Sequence, residues 1–245
     1  MLIKDFFYQI KEDLKRIKKY PDFVAGKNLN VDYDKYWNKR RGNDTSLNLS
    51  TWQKERADYI LKMIEKGSVV MDIGSGNGSL LKYLKDKASV DGFGIDVSDD
   101  AIAIAEKNGI KVLKKNITDL DSLKDLPEVD YIFGLEILEH LPNPEELIFS
   151  LRNKAKKGFI FSFPNTGYYE HRLRLLCGRF PLQWITHPGE HLRFWTASDV
   201  VWWVKAIGFD LEKMVIYQGV PVLNKIFPKL FGRGILIKIN LIFVK

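Results

Sequence analysis

From Gly67 onward the chain alternates short apolar runs with amphipathic stretches, and this alternation restricts its fold more than any other feature. The apolar runs are VVMDI (69–73), VDGFGID (90–96), IKVLKK (110–115), VDYIFG (129–134) and GFIFSF (158–163). Between them lie SLLKYLKDK, SDDAIAIAEKN and NPEELIFSLRNK, the last opening with a cap, a proline in the first turn and two acids at the positive end of the helix dipole. Such an order predicts a parallel sheet joined by right-handed crossovers. Two later runs, 209–218 and 235–244, read as antiparallel strands paired at the sheet edge, after a helix that starts at Thr196 and closes at Gly208. Upstream, Ile3, Phe6, Phe7, Ile10, Leu14 and Ile17 recur at helical spacing, so 2–19 reads as an amphipathic helix with a lysine-rich outer face, ended by Pro21. Ser50 and Gln53 form a capping box that opens a helix to about Lys66.

The glycines of Val69-Val70-Met71-Asp72-Ile73-Gly74-Ser75-Gly76-Asn77-Gly78 fall between a strand and a helix, where they allow a tight turn and close approach of backbone amides to a ligand. Asp72 is a carboxylate at the end of a buried strand, placed to orient the loop or meet a positive ligand group. Asp96 ends the next strand, where a carboxylate can accept both hydroxyls of a ribose. Nicotinamide enzymes show G-x-G-x-x-G; here the position of the third glycine is Ser79.

With the acid before it, this G-x-G-x-G loop resembles that of the class I S-adenosylmethionine-dependent methyltransferases. The resemblance implies an α/β, Rossmann-like, doubly wound sheet of seven mostly parallel strands with one antiparallel edge strand, here with an N-terminal helical extension. Residues 1–66 would be the extension or lid, and 67–245 the methyltransferase domain with its acceptor lid at about 165–195. It also implies S-adenosylmethionine as cofactor: Gly74, Ser75 and Gly76 against its methionine part with Asp72 beneath, and Asp96 and Val97 at ribose and adenine. Asn116 and Ile117 would read the adenine, the Asn carbonyl standing in for the usual acid. Gly134 and Leu135 would contact the cofactor through backbone. Tyr33, Tyr36, Trp37 and Arg40 are candidates for a lid over the sulfonium, Arg40 touching the cofactor; core packing explains the aromatics equally well.

Glu136, Glu139 and His140, read as one helical turn, share a face at the carboxyl edge of the sheet, and His191 follows farther along. Two carboxylates and two imidazoles make a divalent-metal set, for Mg²⁺ or Mn²⁺, with positions left for substrate oxygens. The E-x-x-E-H segment with a later histidine resembles the metal-dependent small-RNA 2′-O-methyltransferases and the ubiquinone-pathway O-methyltransferases. Without a metal, either His140 or His191 is the candidate general base, or the glutamates cap and the histidine packs. The run from Phe161 to Pro181, with His191-Leu192, is similar to the MetW type of methyltransferase-like proteins of methionine biosynthesis. The similarity spans about residues 68–210, but the E-x-x-E-H segment and the N-terminal extension depart from that type.

The net charge of +7 is unevenly spread. Residues 69–150 hold eight basic and sixteen acidic side chains, and residues 151–245 fifteen and five. The acidic middle suits a cationic sulfonium; the basic end, with Tyr168, Tyr169, Arg172, Arg174 and Arg193 as acceptor-binding candidates, suits a phosphate or carboxylate. The alternative is charge on solvated faces. Together these readings predict an O-methyltransferase for a small anionic acceptor, a phosphorylated metabolite or a sugar such as those of surface polysaccharides. RNA 2′-O-methylation and a non-catalytic, cofactor-binding partner of a biosynthetic enzyme are the alternatives. At 245 residues and 45% hydrophobic, the chain suffices for one domain plus an extension. No apolar run reaches the ~20 residues of a membrane span, and charges interrupt the N-terminal segment as they do not in a secretory signal. A single cysteine, Cys177, excludes an internal disulfide. A cytoplasmic protein is expected, its oligomeric state open, with a homodimer among the options.

Overall fold

The alternation resolves into seven strands of one sheet in a computed structural model that describes residues 2–17, 19, 46–183 and 188–241. They are β1 (Val69–Ile73), β2 (Asp91–Asp96), β3 (Val112–Lys114), β4 (Val129–Leu135), β5 (Ala155–Pro164), β6 (Phe209–Tyr217) and β7 (Gly234–Leu241), in the order β3-β2-β1-β4-β5-β7-β6. β1 to β5 pair in parallel. The final two runs pair antiparallel at the sheet end, β6 outermost and β7 running against both β6 and β5. Strand order reverses at β1, with β2 on one side and β4 on the other, so a crevice opens past their carboxyl ends.

Alternation along each strand feeds two apolar layers. Met71 and Ile73 face the layer closed by Leu147, Ile148, Val200 and Trp203, from the helices Pro144–Leu151 and Ala197–Ala206. Val70 faces the opposite layer, with Leu80, Leu81 and Leu84 of α3 (Ser79–Ala88) and Ile102 and Ala105 of α4 (Asp99–Lys107). Here the N-terminal half contributes a second helix, α2 (Thr51–Leu61), through Ala57 and Ile60. Its capping box forms as expected, Ser50 Oγ accepting from Gln53 N. The helix stops at Leu61 rather than about Lys66, because Lys62 N–H turns to the Tyr59 carbonyl and Gly67, with φ +76°, reverses the chain into β1.

The first helix, α1 (Leu2–Ile17), forms where expected but does not bury its apolar stripe. Ile3, Phe7 and Leu14 are exposed, and the fully buried residue is Asp13. Its carboxylate accepts from Tyr168 Oη (2.5 Å) and Tyr169 Oη (3.0 Å) and pairs with Arg233. Helical period placed the helix; a polar docking site chose its inner face. No helix of the described residues is long and apolar enough to cross a membrane.

Candidate functional site

The glycine loop leaves β1 with Gly74 at φ +71°, and a Cβ there would lie 2.1 Å from Ile137 Cδ1, so only glycine lets the loop pass the β4 exit this closely. Gly74 N and Ser75 N both donate to the Ile95 carbonyl. Asp96 then fastens the loop to β2. One carboxylate oxygen accepts from Gly76 N (2.7 Å), the other from Val97 N (2.8 Å) and Ser98 N (3.0 Å).

Beside the loop lies a cavity of about 460 Å³ at the strand-order reversal. It is lined by Asp72, Gly74, Ser75, Gly76, Asp96, Val97, Asn116, Ile117 and Leu135, together with Trp52, Arg56, Lys115, Glu136, His140 and Glu190. Nine of the eleven residues expected around a cofactor therefore converge here; Gly134, within β4, is not part of the lining, and Arg40 lies outside the described residues, as do Tyr33, Tyr36 and Trp37. One detail differs. The Asn116 carbonyl oxygen accepts from Thr118 N and Thr118 Oγ1, so the acceptor expected to read an adenine is already engaged.

Burial pushes Asp72 up to about 7, Arg56 opposing the rise and Asp96 adding to it. A carboxyl whose folded value exceeds its unfolded value of 3.8 stabilises the fold fully below that value, and the contribution is lost as pH rises to about 7. His191, held at about 4 by burial, acts oppositely over part of the same range, so the difference between proteins isolates Asp72. Asp72→Asn is expected to gain stability relative to wild type as pH rises from 4 to 8, by about 4 kcal/mol in total. Chemical denaturation across that range measures it; a constant difference would contradict this assignment.

The E-x-x-E-H segment does not form one helical turn. Glu136 has φ +58° and its N–H extends the β4–β5 pairing to the Ser162 carbonyl, leaving only Leu138–His140 as a 3₁₀ turn. Glu136 consequently accepts from Ser162 Oγ (2.9 Å) and lies 3.6 Å from Arg56; it stands beside Glu139 but falls outside the set formed by the other three expected metal ligands. Those three do converge: ligand atoms of Glu139, His140 and His191 all lie within 4.8 Å of one another. Leu192 N and Arg193 N both donate to the Glu139 carbonyl, which brings His191 across fifty residues, and the two imidazoles meet edge to face. Burial, then the charge of Glu136 and a hydrogen bond between the two carboxyls, holds the Glu139 carboxyl well above the usual range. His140 Nδ1 lies 2.6 Å from the Glu190 carbonyl. That oxygen can only accept, so Nδ1 carries the hydrogen and Nε2 the lone pair. Burial lowers the values of both histidines.

The five residues expected to meet an acceptor are not brought to this cavity. Tyr168 and Tyr169 bind Asp13. Arg172 donates to the Gly167 carbonyl, and Arg174 to carbonyls of Arg16, Ile17, Lys19 and Phe180. Arg193 reaches Pro142 O and Glu145, tying the His191 segment to α5 (Pro144–Leu151). His171 is a buried residue of α6 (Tyr169–Leu176), and His187 lies outside the described residues. Arg56 was not among the expected site residues. Its signal is a lone charge at helical spacing from Trp52 and Ile60 on an otherwise apolar face.

A chain in the solved structure of a methyltransferase from Archaeoglobus fulgidus superposes with a TM-score of 0.58, at 20% identity, over 84% of this chain and all of that one. The magnesium protoporphyrin IX methyltransferase of Synechocystis PCC 6803, solved with bound SAH, gives 0.59 at 16% identity over 86% and 95%. The ubiquinone biosynthesis O-methyltransferase of Glaesserella parasuis serovar 5 (strain SH0165) is 30% identical over 170 residues, 64% of this chain and 71% of that protein. Sheet order, glycine loop and these likenesses define a class I S-adenosylmethionine-dependent methyltransferase. A family model of methionine biosynthesis protein MetW matches residues 54–237, and the chain belongs to that family.

Proposed function

We propose that the protein methylates an oxygen of a small hydroxylated acceptor, with the cofactor at the glycine-loop end of the cavity and the acceptor near Glu139, His140 and His191. The observation that carries this reading is Glu139, buried with ligand atoms of His140 and His191 within 4.8 Å of its own. Such a donor set suits a divalent cation such as Mg²⁺ or Mn²⁺, which would supply Lewis-acid polarisation of an acceptor hydroxyl. S-adenosylmethionine supplies the electrophilic methyl group. The chain's own part is positioning: Asp96 and the loop amides fix one end, and His140, oriented by the Glu190 carbonyl, presents a lone pair at the other. An anionic acceptor has less support than the basic C-terminal segment implied. The described lining carries Asp72, Asp96, Glu136 and Glu190 against Arg56 and Lys115. That balance favours a cationic cofactor and a hydroxyl acceptor.

The test is S-adenosylhomocysteine release with a panel of vicinal diols, phosphorylated sugars and a short RNA, with Mn²⁺ or EDTA. Electron paramagnetic resonance of bound Mn²⁺ accompanies it. Release with a diol or sugar that needs Mn²⁺, and Mn²⁺ binding at least ~10-fold weaker in His191→Ala, are expected. Cofactor binding without turnover of any acceptor would favour a non-catalytic partner. Turnover indifferent to EDTA would remove the metal.

A further inference from the structure

α1 is bound to the domain by its polar side. Asp13 accepts from Gln9, Tyr168 and Tyr169 and pairs with Arg233. Arg16 reaches the Leu182 carbonyl and Glu170, and Arg174 donates to the carbonyls of Arg16 and Ile17 at the helix end. A surface helix ordinarily turns its apolar stripe inward. Here Ile3, Phe7 and Leu14, which their spacing puts on one face, are 74%, 65% and 52% exposed. Lys4, Lys11 and Lys15 form an exposed row alongside that stripe, and Lys19 follows, also exposed. The acids of the helix outside its buried side are Asp5 and Glu12, and Glu12 is paired with Lys15.

The stripe therefore takes little part in holding α1, and α1 precedes the residues matched by the family model, 54–237. An apolar ridge edged by lysines complements a surface that is apolar within and anionic at its boundary. A second copy of the helix would bring a second lysine row to the interface and no matching row of acids. We propose that α1 docks the protein on an anionic phospholipid surface, with Ile3, Phe7 and Leu14 at the acyl boundary and Lys4, Lys11 and Lys15 at the phosphates. Lysine stems are long enough to lie along the apolar layer while their ammonium groups stay in the headgroups. The docking does not depend on what the cavity binds.

Co-sedimentation of the full chain with vesicles tests this, using phosphatidylcholine alone and an equal mixture with phosphatidylglycerol. Wild type is expected to partition at least ~10-fold more strongly onto the anionic vesicles, and to lose most of that preference in high salt. Phe7→Ser/Leu14→Ser should partition at least ~10-fold more weakly than wild type. Lys4→Gln/Lys11→Gln/Lys15→Gln should lose the preference for anionic vesicles. Trp202→Ser removes an exposed aromatic from the helix Ala197–Ala206 and should bind as wild type does. Circular dichroism checks that each variant is folded. Wild type that binds neither kind of vesicle, or both alike, overturns the proposal, as does a Phe7→Ser/Leu14→Ser variant that binds like wild type. A wild-type dimer in sedimentation velocity that this variant converts to a monomer also overturns it, because a second copy then covers the stripe. Should the serine variant unfold, the lysine variant decides, and a preference that it retains overturns the proposal.

Discussion

Asp96→Ala is expected to weaken S-adenosylhomocysteine binding by at least ~100-fold. Its carboxylate does two things. It accepts three backbone N–H groups, from Gly76, Val97 and Ser98, and so ties the glycine loop to the end of β2. It also lines the cavity where the ribose is proposed to lie. Hydrogen bonds to a charged group contribute about 1.5–3 kcal/mol each, so losing the ribose contacts alone approaches the stated factor. Freeing the loop adds to it. Asp96→Asn should do little better, because one of its two ends becomes a donor facing N–H groups that need acceptors. Calorimetry measures the affinity, and circular dichroism confirms that each variant is folded. Binding within threefold of wild type would mean that the cofactor does not use this carboxylate.

Asp96 was readable from sequence because everything that defines it is local: a strand, an acid at its end, and a glycine loop one strand earlier. The other lining residues at strand ends follow from the same logic, since alternating strands and helices bring carboxyl ends to one edge. Glu136 was only half readable. Its place after β4 was right, but spacing alone does not reveal a left-handed backbone, and that one residue brings its carboxylate to Ser162 and Arg56 as well as beside Glu139. The arginines of the basic segment were not readable at all. A guanidinium points to whichever carbonyls lie within reach, and Arg174 finds those of Arg16 and Ile17, over 150 positions away in sequence. The positive charge of residues 151–245 thus serves in part to hold chain segments together rather than to face a ligand.

The same displacement of charge into architecture makes Asp13→Ala the variant expected to cost most stability, about 3–5 kcal/mol. Asp13 is fully buried, 155 residues and more from the tyrosines and the arginine it binds. Truncating it leaves two phenolic hydroxyls without their acceptor and Arg233 beside Glu170, itself buried with both oxygens lacking a hydrogen bond. Removing one member of a buried charge cluster costs more than the cluster contributes, because the survivors stay desolvated. At about 2–4 °C per kcal/mol for a chain of this length, the midpoint of thermal unfolding should fall by roughly 6–20 °C. Asp13→Asn keeps the shape and should fall less. Neither Asp13 nor its partners Tyr168 and Tyr169 line the cavity, so S-adenosylhomocysteine affinity should change less than about threefold at a temperature where the variant is folded. Asp96 and Asp13 are thus expected to separate the two uses of buried carboxylates in this chain, one setting affinity and the other holding α1 in place. A loss under about 1 kcal/mol on truncating Asp13 would mean that α1 is held by its apolar contacts after all, and that the exposed stripe of Ile3, Phe7 and Leu14 needs a different explanation.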